Sequence, residues 1–169
     1  MRHGTLLWLV LLGGLAHGAA AQDLASSALM VTPSGFADED TAAIRHAAYD
    51  YIEGWYTGDA ARMARALHPE LAKRMVYTDT RSGHSTLDQM GAMTLVDRTR
   101  AGGGKQTPSE KRREEFTLLD LYRNVAVAKI VASDWVDYLQ LVRWNGEWKI
   151  VNVLWELTPP PTQAAAPTS

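Results

Sequence analysis

The chain has 169 residues, 46% of them hydrophobic and 21% charged, with a formal net charge of −2. That is enough for one globular domain with a core of its own, and too little net charge to hold nucleic acid or an anionic membrane surface. There is no cysteine, which excludes a thiolate metal site, a thiol nucleophile, a disulfide framework and a cysteine-linked lipid anchor.

Residues 1–21 read as an export leader. Arg2 and His3 form a short basic start, and Leu6 to Leu12 is an unbroken apolar run. The run is far shorter than the roughly 20 residues of a membrane-spanning helix. Ala19-Ala20-Ala21 supplies small residues ahead of a cleavage point before Gln22. The mature protein is therefore expected to be periplasmic or secreted, with no membrane association after cleavage. Residues 22–37 are small and polar around Pro33-Ser34-Gly35 and read as a flexible lead-in.

Asp38-Glu39-Asp40 places acids where they suit a helix N-terminus. Ile44, Ala48, Tyr51, Ile52 and Trp55 then form one apolar stripe at helical spacing. Gly58 ends the helix and Asp59 can cap the next, which runs from Ala60 to Leu67. His68-Pro69 stops that helix, because the residue before a proline is pushed out of the α region. Met75-Val76-Tyr77 is expected to be a brief extended piece. Ser85-Thr86-Leu87-Asp88 has the form of a capping box, which predicts a third helix over 87–100.

The glycine-rich stretch Ala101-Gly102-Gly103-Gly104-Lys105 follows that helix. A phosphate loop would follow a strand and open a helix with Gly-Lys-Ser/Thr, so the order is wrong for phosphate binding.

Beyond Pro108 the period changes to two. Phe116 to Tyr122 and Val125 to Ala132 read as strands joined by a tight turn at Arg123-Asn124. Trp135 to Leu157 holds four of the six tryptophans, in two β-rich runs joined by Asn145-Gly146. That dipeptide marks a two-residue hairpin, because both central residues of its turn need positive φ. Pro159-Pro160-Pro161 ends the ordered chain, and 159–169 read as a disordered tail. The order predicts an α+β fold, with helices packed on one face of a curved antiparallel meander over 38–158.

Counting outward from Asn145-Gly146 pairs Arg143 with Trp148, Leu141 with Ile150, Leu139 with Asn152 and Asp137 with Leu154. On this count Asp137 and Asn152 share one face, where an acid among apolar neighbours could serve as a general base. Tyr138, Val153 and Trp155 share the other, as a possible homodimer surface. Tyr51 and Trp55 point together and suit the lining of a pocket. His68 is a second weak catalytic candidate, at a helix end. Neither a metal-ligand spacing, a nucleophile elbow nor a cofactor fingerprint is present, so no metal or cofactor is expected.

The segments YIEGWYTGD, ALHPELAKR and DYLQLVRWNGEWKIVNVLWEL, in that order, resemble the nuclear-transport-factor-2-like superfamily, and within it the group named putative lumazine-binding. The resemblance covers about Asp38 to Leu157. It implies a cone of curved sheet around a long helix, with a pocket at the open end and, commonly, a homodimer through the outer sheet face. Enzymes of the superfamily use an Asp, or an Asp with His or Arg, inside the cone. This sequence offers Asp137 and His68 without a complete set of that kind. The expectation is an exported binder of a small hydrophobic or heterocyclic ligand, with Tyr51, Trp55, His68, Asp137 and Asn152 as pocket residues. The alternatives are an isomerase, dehydratase or cyclase using Asp137, and an interaction module using the sheet face.

Overall fold

The computed structural model describes residues 38–159. The expected leader (1–21), the expected lead-in (22–37) and all but the first residue of the expected tail lie outside the described residues. Helix α1 spans Asp38–Thr57 and buries Ile44, Ala48, Tyr51 and Ile52, as the stripe requires. Gly58, at φ +72°, turns the chain. Asp59 Oδ1 then accepts from the backbone of Ala61 and Arg62 and caps α2, Ala60–Ala66. Arg62 and Arg65 reach back to the buried Asp50 of α1, with Nε to carboxylate distances of 2.8 and 3.2 Å. Burial by itself would raise the Asp50 carboxyl, but the two guanidiniums outweigh it and hold it below the ordinary carboxylate value.

The next segment corrects two expectations. Leu67 leaves the helix and opens β1, Leu67–Thr78, a twelve-residue strand rather than a short extended piece. The chain turns through Asp79–His84, where Asp79 Oδ1 accepts from two backbone amides, and returns as β2, Ser85–Gly91. The capping-box pattern at Ser85 is therefore part of a strand, paired with β1 from Thr78–Ser85 to Ala72–Gly91. Only Ala92–Arg100 is helical (α3), burying Ala92, Leu95 and Thr99 along one side.

The remaining strands follow the period-two pattern: β3, Glu115–Tyr122; β4, Val125–Val131; β5, Trp135–Trp144; and β6, Glu147–Leu157. The β5–β6 turn has φ of 51° at Asn145 and 85° at Gly146, as the Asn-Gly dipeptide predicts.

The six strands form one curved sheet in the order β2-β1-β6-β5-β4-β3, with the helices against its inner face. Every neighbouring pair is antiparallel except β1 and β6, which run parallel. The purely antiparallel expectation considered consecutive strands only. Here the parallel partners are first and last, and the rest of the domain serves as their crossover. Their pairing shifts between Leu67 and Ala72, the irregular stretch that contains Pro69, which cannot donate to a ladder.

The hairpin register also needs correction. Arg143 pairs with Trp148 and Leu141 with Ile150, as counted. The ladder then shifts, so that Gln140 pairs with Asn152, Leu139 with Val153 and Asp137 with Trp155. Val151 is the extra residue of a β-bulge. One added residue reverses the facing of everything beyond it. Val153 is fully buried and Trp155 turns inward, while Asn152 and Leu154 turn outward. Asn152 donates to Gln140 Oε1 on the outer face.

This register has a measurable consequence. Val153→Ala is expected to cost on the order of 2 kcal/mol in urea unfolding, as a core truncation. Asn152→Ala is expected to cost no more than about 1 kcal/mol, as a partly exposed change. The reverse order would refute the bulged register.

Candidate functional site: an aromatic cavity over a buried lysine–aspartate pair

A cavity of about 310 Å³ lies between the helices and the sheet. Tyr51 and Trp55 of α1, Met63 of α2 and Leu95 of α3 form its helical side. Lys73 of β1, Met90 of β2, Trp135 of β5, and Trp155 and Leu157 of β6 form the sheet side. Arg98 and Asp134, both exposed, complete the rim. The volume falls within the range of small-molecule sites, about 300–1,000 Å³.

Asp137 sits on the inner face of β5 and is wholly inaccessible to solvent. Its Oδ1 accepts from Lys73 Nζ at 2.5 Å. Its Oδ2 accepts from the Tyr51 hydroxyl at 2.9 Å and from Trp135 Nε1 at 2.7 Å. Lys73 Nζ also donates to the Tyr51 oxygen at 2.6 Å and lies 4.7 Å from the centroid of the Trp155 ring. One carboxylate thus serves three donors, one ammonium serves two acceptors and an aromatic face, and the group is neutral overall. Among the described residues, every buried side-chain nitrogen and oxygen has a hydrogen-bond partner.

The environment moves two of these groups. Burial pushes the Tyr51 phenol well above its usual value, and the adjacent Asp137 charge adds to the rise. Burial also lowers Lys73 below the ordinary lysine value, while the Asp137 charge pulls it the other way. Tyr51 therefore stays protonated, and Lys73 holds its proton less tightly than a surface lysine does.

Of the predicted site residues, Tyr51 and Trp55 line the cavity. Asp137 lies next to it without lining it: its three donors all do, and they stand where a ligand would meet the group. His68 is elsewhere. Its Nδ1 accepts from Glu70 N, and its ring packs edge-on against Trp144 at the hairpin tip. Trp144 is seven residues along β5 from Asp137, roughly 23 Å at strand rise. Asn152 is on the opposite face of the sheet because of the bulge. Of the three residues assigned to a dimer surface, Tyr138 is exposed on the outer face, whereas Val153 is in the core and Trp155 lines the cavity.

Lys73 was not among the sequence candidates. Its signal is the alternation Leu71, Lys73, Met75 on one face of β1, which is visible only once that segment is read as a strand. The glycine-rich loop also has a structural role. A Cβ on Gly104 would lie 2.5 Å from both the ring and the carbonyl oxygen of Trp55, so only glycine lets the loop close over this wall of the cavity.

The pair can be tested by its coupling. Asp137→Asn leaves the Lys73 charge buried without a counter-charge and is expected to cost about 3–5 kcal/mol. Adding Lys73→Met should recover much of that loss in the same denaturation series. Strictly additive costs would mean that the two side chains are not coupled.

The sequence pattern of the family described as Putative lumazine-binding matches residues 39–156, well over half of the chain. Among curated proteins none matches. Similar solved structures include an NTF2-like protein of unknown function from Methylobacillus flagellatus KT, 20% identical, with a TM-score of 0.59, covering 74% of this chain and 97% of that one. Another, from Shewanella baltica OS155, is 18% identical with a TM-score of 0.56, covering 72% and 96%. An NTF2-like protein with a cystatin-like fold from Novosphingobium aromaticivorans is 12% identical with a TM-score of 0.51, covering 75% and 85%. At these identities the likeness is one of fold. The chain belongs to the Putative lumazine-binding family and has the nuclear-transport-factor-2-like, cystatin-like fold.

Proposed function

We propose that this protein is an exported, non-catalytic binder of a small, flat heterocycle held in the aromatic cavity. The observation that carries the reading is the pairing of three tryptophans, Trp55, Trp135 and Trp155, with a polar floor made by Lys73 and Tyr51. Indole and phenol faces suit a planar ring system. The Lys73 ammonium suits a ring carbonyl or ring nitrogen as acceptor. The family description points to the same ligand class. Export rests on the leader-like residues 1–21. Asp137 orients the two polar groups and does not itself meet the ligand.

Lumazine is the probe of choice. It should quench the cavity tryptophans on titration and raise the melting temperature, with about 2.7 kcal/mol of stabilisation at one hundred times Kd. Trp55→Ala should weaken binding by about 1–3 kcal/mol, the scale of stacking a base on an aromatic ring. If neither lumazine nor any of a set of one- and two-ring heterocycles shifts fluorescence or melting, the reading fails.

A homodimer through the outer sheet face is part of the proposal. Tyr138, Leu154 and Val76 are exposed apolar side chains around one shallow groove on that face. Sedimentation should give twice the chain mass for the wild type and the single-chain mass for Tyr138→Glu. A wild-type monomer at high micromolar concentration would exclude this mode of association.

A further inference from the structure

We infer that Lys73 is an amine nucleophile, and that the cavity captures aromatic aldehydes or ketones reversibly as an imine on its Nζ. The inference uses the cavity of the binding function proposed above but does not need the ligand to be a heterocycle.

The chain contains five lysines. Lys105 and Lys111 are exposed, Lys129 and Lys149 are partly so, and Lys73 alone is buried. It is also the one lysine that lines the aromatic cavity. A buried ion pair adds little stability over apolar residues of the same volume, so stability gives weak reason to keep one on a cavity wall. Its surroundings meet the requirements for attack by an amine. Apolar walls disfavour the ammonium form. A carboxylate oxygen 2.5 Å from Nζ can take a proton. A hydroxyl 2.6 Å from Nζ, kept protonated by its burial, can turn its one proton from Asp137 to a carbonyl oxygen once the carboxylate has itself been protonated.

The steps balance as follows. Lys73 passes one proton to Asp137, and the amine lone pair turns into the cavity by rotation about Cε–Nζ. The nitrogen bonds to the carbonyl carbon, and the proton that the nitrogen then sheds passes by way of the Tyr51 hydroxyl to the former carbonyl oxygen, giving a carbinolamine. The hydroxyl group leaves as water with the proton held by Asp137. The product is a protonated imine whose positive charge faces the restored Asp137 carboxylate. Overall, one ammonium and one carbonyl give one iminium and one water. Asp137 and Tyr51 position and shuttle protons; Lys73 alone forms the covalent bond.

The test is reductive trapping on the full chain. The protein is incubated with 2-naphthaldehyde and sodium cyanoborohydride at neutral pH, and labelling is read by peptide mass mapping as the aldehyde mass less one oxygen. Lys73 is expected to label at least tenfold faster than the mean of Lys105, Lys111, Lys129 and Lys149. Leu95→Trp, which fills the cavity, should abolish that preference without changing the other four rates. Labelling of Lys73 no faster than that of the surface lysines, or a preference unchanged by Leu95→Trp, overturns the inference. Heterocycle binding without Lys73 labelling refutes the imine alone; labelling without heterocycle binding refutes the heterocycle alone.

Discussion

The contact on which this site depends is the charge pair between Lys73 and Asp137. The two residues are not on neighbouring strands. Strand β6 separates β1 from β5, so the lysine spans a gap of two strand spacings, about 10 Å in a flat sheet, over Val153 and Trp155. Curvature shortens the distance, and a four-carbon side chain covers the rest. Tyr51 enters from α1 and completes the cluster. Three elements that share no local connection are thus tied at one point. The cost of removing two charges from water is offset by a full set of hydrogen bonds, which is the condition under which such a pair is tolerated.

The cluster also determines what the cavity can do. The carboxylate, the one anion of the group, is screened from the cavity by its own partners. A ligand meets an ammonium, a phenol and indole rings. This separates the site from one in which a free carboxylate abstracts a proton from substrate, and it moves the chemically interesting group from Asp137 to Lys73. His68, packed edge-on against Trp144 at the other end of β5, has no part in it.

Much of the fold was legible because its signals are local. The stripe on α1, the cap at Asp59, the Arg123-Asn124 turn and the Asn-Gly hairpin each need only a few consecutive residues to be recognised. The misread parts depend on distant ones. Strand β1 contains His68-Pro69 and places a lysine at an inward position, so nothing local marks it as a strand, and one of its two partners is β6, some eighty residues on. Ser85 to Asp88 has the form of a helix start, and pairing with β1 overrides it. The bulge at Val151 carries no glycine to announce it, yet it exchanged the facing of Asn152, Val153 and Trp155. Tyr51 and Trp55 were found because helical spacing is robust, and Asp137 because it precedes the bulge on the unshifted strand.

The parallel seam between β1 and β6 also orders events in time. The α1–α2 pair, the β1–β2 hairpin and the β3–β6 meander each close over short stretches of chain, whereas the seam joins the first strand to the last and bears the largest loop-closure cost. Lys73 and Asp137 lie on opposite sides of it. Until the last strand has emerged and docked, the lysine has no counter-charge and the cavity lacks Trp155 and Leu157. The site is therefore assembled at the end of folding, and a chain truncated before β6 would lose its ligand chemistry together with the closure of its sheet.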